Sequence, residues 1–160
     1  MTAPAPTAIP IPELEALIRD GVPLVGSFGI TIDELVAGRV RMRMPYKTDF
    51  VRPGGTVMGP AMFGLADVAL YAAVLSAIGR VELAVTTSMT INFLKRPPPV
   101  GMIAEGRLLK LGKRLAYGEV LLFSDDGAEE PVAHATGTYS IPPHDPVAIA
   151  VSGYREGDAS

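Results

Sequence analysis

Residues 57–79 read VMGPAMFGLADVALYAAVLSAIG, a run in which Asp67 is the only charged side chain. Its length suits either a membrane span or a helix buried inside a domain. Alanine and glycine outnumber leucine in it, and a central aspartate costs about 2.5–3.5 kcal/mol on insertion scales. The flanking sequence reads as strands of a water-soluble protein. A core helix from about Pro60 to Ile78, stopped by Gly79, is therefore expected, with no membrane partner. Such a helix lacks a polar face and must be covered on every side.

Working outward, the sequence supplies that cover. Upstream, Glu13 to Asp20 reads as a short helix, with Pro12 in its first turn, Leu14, Leu17 and Ile18 on one face and Gly21 as a stop. Phe28, Ile30 and Ile32 alternate with Gly29, Thr31 and Asp33, and Val40, Met42 and Met44 alternate with Arg39, Arg41 and Arg43. Period-2 alternation of this kind predicts two half-exposed antiparallel strands. Lys47 to Gly59, rich in glycine, reads as a loop.

Downstream, four more strands are expected. In the first, Val85, Thr87, Met89, Ile91 and Phe93 form one face, and Thr86, Ser88, Thr90 and Asn92 the other. Residues 102–110 form the second, 115–123 the third and 132–141 the last, with turns at Leu111–Arg114 and Asp125–Gly127. The predicted class is α+β: about six antiparallel strands around one long helix. The domain spans residues 13–141, between a flexible arm (1–12) and a tail (142–160).

Composition narrows the function. The 160 residues suit one core, and 48% hydrophobic against 19% charged residues is a globular balance. A net charge of −3 without a basic stripe argues against nucleic acid. The absence of cysteine excludes disulfides and a thiol nucleophile and suits a reducing, cytoplasmic setting. Met1–Pro12 lacks the basic start of a secretory leader. His134 and His144 have no acidic cluster to make a metal site, and no Gly-x-Ser-x-Gly elbow occurs.

The segments Gly55-Thr56-Val57-Met58-Gly59-Pro60, Leu65-Ala66-Asp67-Val68-Ala69, Ile91-Asn92-Phe93-Leu94, Gly112-Lys113-Arg114 and Ala133-His134-Ala135-Thr136-Gly137-Thr138-Tyr139 follow in a telling order. In that order and spacing the chain resembles hotdog-fold thioesterases of the PaaI type, over roughly residues 24–141. The resemblance implies a hotdog fold and hydrolysis of acyl-coenzyme A by a homo-oligomer, either a dimer or a dimer of dimers. It implies no cofactor beyond the coenzyme A of the substrate. It also assigns roles: Asp67 as nucleophile or general base, the Gly59 N–H as oxyanion donor, and Thr86 as a hydroxyl that helps hold the water. Met58 and Pro60 stand where the family has histidine and a second glycine, and Arg52 where it often has asparagine. Hotdog dehydratases pair a loop histidine with a helix glutamate; both are absent here.

Each assignment has a plainer alternative. Asp67 fits a structural network, and Thr86 fits the polar face of a strand. Lys95, Arg96, Lys110, Lys113 and Arg114 suit coenzyme A phosphates as a group, or plain surface charge individually. Arg52 suits an acidic part of a substrate or a pair with Asp49. Met58, near Met62 and Phe63, suits an acyl pocket or ordinary core. The alternative function is a non-catalytic hotdog protein that binds acyl-CoA. Gly59 and Asp67 lie eight residues apart, about 12 Å along one helix. A shared site therefore requires the resemblance's two-fold dimer, with Gly59 and Asp67 supplied by different chains.

Overall fold

The computed structural model describes residues 3–145. Two short helices, α1 (Ile11–Gly21) and α2 (Pro23–Phe28), precede strands β1 (Thr31–Val36) and β2 (Arg39–Met44). A small hairpin, β3 (Val51–Arg52) and β4 (Thr56–Val57), leads into the long helix α3 (Gly59–Ile78). Strands β5 (Val85–Phe93), β6 (Met102–Leu111), β7 (Leu115–Ser124) and β8 (Ala133–Ser140) complete the domain. The six long strands form one antiparallel sheet in the order β1-β2-β6-β7-β8-β5. α3 packs on one face of that sheet, and 83% of its most apolar stretch is buried inside the domain. The expected core helix is thus the observed one, and the helix is the centre of a hotdog fold.

Close approach of helix and sheet depends on glycines in the strands. Gly118 and Gly137 are cross-strand partners on β7 and β8, and Leu70 of α3 sits over both. A methyl group added at Gly118 would lie 2.5 Å from Leu70 Cδ1 and 2.6 Å from the Arg107 carbonyl oxygen. One added at Gly137 would lie 2.9 Å from Leu70 Cδ2. Leu70 itself is 1% exposed.

Three expectations need correction. Phe28 does not begin a strand: Pro23 starts the helical turn of α2, and Gly29, in the left-handed region (φ 70°), ends it, so β1 starts at Thr31. The loop 47–59 contains a 3-10 turn (Thr48–Phe50) and the β3–β4 hairpin. The arm is not free over residues 5–9. Ala8 N–H donates to Ser76 O (2.7 Å), Ala37 N–H donates to Ala5 O (3.3 Å), and Ile9 is buried at 2% exposure. Most of the proposed tail, residues 146–160, lies outside the described residues.

Ser76 is the clasp for this end of the fold. Its Oγ accepts from Gly38 N–H (2.8 Å) and donates to Ala73 O (2.7 Å), fully buried. Ser76→Ala leaves the Gly38 N–H unpaired, and denaturant unfolding is expected to show a loss of about 1–3 kcal/mol. An unchanged midpoint would remove Ser76 from this role.

Candidate active site

Asp67 lies on the third turn of α3, half-buried, on the side facing β5 and β8. Its Oδ1 accepts two hydrogen bonds, from Thr86 Oγ1 at 2.6 Å and from the Tyr139 hydroxyl at 2.7 Å. The same phenol lies 3.0 Å from the Asp67 carbonyl oxygen. Oδ2 receives no hydrogen bond from the described residues. A carboxylate inserted into an apolar helix thus finds hydroxyl donors, which meets much of its desolvation cost.

Thr86 reaches Asp67 because the β5 pattern is broken. Simple alternation places Thr86 opposite Met89 and Ile91. The pairing with β8 slips between Thr86 and Ser88, so one extra residue, Thr87, is accommodated as a bulge. Thr86 then pairs with Tyr139, while Met89 and Ile91 pair with Gly137 and Ala135. Thr86, Met89 and Ile91 are the half-buried members of β5; its other residues are exposed. The two-faced reading of β5 is corrected accordingly: from residue 88 onward it holds, and at 86 it inverts.

In the sequence Tyr139 figures only as the last residue of the segment Ala133–Tyr139, with no role of its own. Its ring is 3% exposed and stacks on Tyr71, with centroids 6.0 Å apart and planes at 18°. The Tyr71 hydroxyl donates to Glu82 O at 2.9 Å. Burial, and then the Asp67 charge, hold the Tyr139 phenol well above its ordinary range. Burial, and then Glu82, raise Tyr71 as well. These raised phenols favour the folded state below the unfolded value near about 10, and that contribution is lost as pH rises. Alkaline spectrophotometric titration of the folded protein should therefore leave two tyrosines un-ionised beyond the ordinary range, until denaturant releases them. Uniform ionisation of all tyrosines would contradict this burial.

Gly59 is the first residue of α3, and its neighbour Met58 provides no side-chain cap. Met58 N–H donates to Phe50 O (2.7 Å), and Met62 N–H donates to Met58 O (3.3 Å). The N–H groups of Gly59 and Ala61 meet no acceptor among the described residues, and Pro60 has none to offer. Two donors at the positive end of a long helix are thus open to an anion. The Phe93 ring lies over Gly59, 3.2 Å from where a methyl group there would be.

The remaining candidates are spread out. Arg52 is exposed on the β3–β4 hairpin and makes no ion pair with the described residues, Asp49 included. Met58 is half-buried, and Pro60 is exposed at the helix start. Lys95 and Arg96 are exposed beyond the Phe93 end of β5, and Lys95 Nζ is 3.5 Å from Glu130 Oε2. Lys110, Lys113 and Arg114 are exposed at the β6–β7 turn, beside Leu115. Leu115 pairs with Ser140, and Ser140 with Val85, so this turn lies at the opposite end of the sheet from Lys95. Within one chain the basic residues therefore form two groups rather than one rim. His134 faces outward, its Nε2 2.9 Å from Glu119 Oε2.

The chain is similar to known proteins in sequence and fold. Residues 54–131 match the family model of the thioesterase superfamily. A protein of Saccharolobus solfataricus described as an esterase is 30% identical over 113 residues, covering 71% of this chain and 73% of that one. The solved structure of a protein from Silicibacter sp. TM1040, described as a thioesterase, is 45% identical. It covers 86% of this chain and 94% of its own, with a TM-score of 0.77. The PaaI protein from the phenylacetic acid degradation operon of E. coli has a TM-score of 0.72 over 80% of this chain and 90% of its own. At 19% identity that likeness concerns the fold. A long helix packed on a six-stranded antiparallel sheet, together with these relatives, defines a hotdog-fold hydrolase acting on thioesters. The chain belongs to the thioesterase superfamily.

Proposed function

We propose that the protein hydrolyses acyl-CoA thioesters as a two-fold dimer, each site combining Gly59 of one chain with Asp67 of the partner subunit. The distribution of these groups along β5 carries this reading. Thr86, which holds Asp67, lies near the Val85 end, and Phe93, which covers Gly59, lies at the other, roughly 23 Å away at strand rise. β5 is an edge strand with an unpaired side, and Leu83, Val85, Phe93 and Leu94 are more than half exposed. A two-fold axis through the middle of two apposed β5 strands reverses their ends, and Gly59 then meets Asp67 of the partner subunit. The same operation draws Lys95 and Arg96 toward the turn bearing Lys113 and Arg114 of the partner, an arrangement suited to phosphates.

At such a site the Gly59 N–H polarises the thioester carbonyl. Asp67 either attacks the carbonyl carbon or removes a proton from an attacking water. In the water route the coenzyme A thiolate leaves and takes up that proton. In direct attack the thiolate leaves the acyl group on Asp67 as a mixed anhydride, which water then hydrolyses, restoring the carboxylate and giving a proton to the thiolate. Met58 and Pro60 border the acyl end, and Arg52 on the hairpin is suited to a carboxylate or phosphate on the substrate. Binding without turnover is the second reading; it draws on Pro60, which removes one helix-start donor. Thiol release from a panel of aliphatic and aromatic acyl-CoAs separates the two. Turnover supports hydrolysis, whereas a raised melting temperature with no thiol release supports binding alone.

A further inference from the structure

We infer that Tyr139 is a positioning residue for this hydrolysis: together with Thr86 it saturates Oδ1 of Asp67, leaving Oδ2 as the reacting oxygen. The inference rests on the reading of Asp67 as the reacting carboxylate. A carboxylate at the end of a short side chain presents either oxygen, because its terminal torsion is broad and two-fold. Two hydroxyl donors on one oxygen, at 2.6 and 2.7 Å, remove that freedom.

The two donors come from facing residues of one strand pair, since Thr86 and Tyr139 are partners between β5 and β8. Tyr139 is fixed further by its stacking on Tyr71, whose own hydroxyl is tied to Glu82 O. Its phenol also remains protonated, because burial and the Asp67 charge oppose ionisation, so it stays a donor throughout the working range. In the water route, Oδ2 takes one proton from water as the hydroxide oxygen bonds to the acyl carbon. The carbon–sulfur bond then breaks, and the proton passes to the sulfur. Oδ1 carries no proton at any stage and serves only as the fixed end.

The test compares Tyr139→Phe with the wild type, with exposed Tyr117→Phe as control, each also placed in an Asp67→Asn background. Phenylalanine keeps the ring and its stacking, and Oδ1 retains Thr86, so the Tyr139 substitution leaves no buried group without a partner. For Tyr139→Phe, kcat on an accepted acyl-CoA should fall about 10–100-fold, the effect of one hydrogen bond to a charged group. KM should change little, because ground-state binding is untouched. Tyr117→Phe should keep the wild-type kcat. In the Asp67→Asn background, Tyr139→Phe should produce no further fall in the residual rate. A wild-type kcat for Tyr139→Phe, or an equal fall in both backgrounds, overturns the positioning role. Full activity in Asp67→Asn alone instead overturns the reading of Asp67, a result distinct from either.

Discussion

Asp67→Asn is expected to lower turnover of every accepted acyl-CoA by about 10²–10⁴-fold, the range for loss of a general base. Asparagine has nearly the same shape and can still accept from Thr86 and Tyr139 through its carbonyl oxygen. Folding, oligomeric state and melting temperature should therefore remain close to wild type. A second variant makes the result specific to a shared site. Gly59→Pro removes the oxyanion N–H at the helical position where proline is best tolerated. Each variant should be inactive alone. Co-expressed, half the dimers are mixed, and each mixed dimer has one site with an intact Gly59 and an intact Asp67. By two-fold symmetry the preparation should recover about a quarter of the wild-type activity. If it stays inactive while mixed dimers are present, Gly59 and Asp67 do not act from different chains.

The largest expected loss of stability comes from the glycine dent under α3. At Gly118 a methyl group meets both a side chain and a backbone carbonyl, and the carbonyl belongs to the paired strand β6 and cannot move alone. Gly118→Ala should therefore cost about 3 kcal/mol or more, the upper range for overpacking. Leu70→Ala, which empties the dent, should cost about 2–5 kcal/mol. Either is a large share of a typical total of about 5–15 kcal/mol. Urea unfolding of the double variant should show a loss smaller than the sum, because removing Leu70 relieves half of the clash at residue 118. Full additivity, or a neutral Gly118→Ala, would mean that the helix does not rest in this dent.

Much of this molecule was legible in the sequence because its strongest signals are periodic. An apolar helix without a polar face requires a wrap, and strands such as β2 and most of β5 announce themselves by alternation of two. Local breaks in periodicity were not legible. α2 was hidden because six residues make less than two turns, and the pattern after Phe28 imitated a strand. The arm was hidden because its anchors are backbone groups, which composition does not reveal. Asp67 and Thr86 were proposed from resemblance, and only the register of β5 on β8 brings them within hydrogen-bond distance. Tyr139 was missed because a tyrosine within a strand signals ordinary packing, and its partner lies 72 positions away in the chain.

Thr86 and Met89 share a face only because one extra residue stands between them in the bulge. Deleting Thr87 would set them two positions apart, and plain alternation would still turn both inward, so the hydroxyl on Asp67 survives loss of the bulge. An edge strand of this design can therefore change in length by that one residue without rebuilding either the interior or the site. In comparing relatives, the residue that serves the carboxylate is accordingly found by the face it occupies and not by its distance from the core positions downstream.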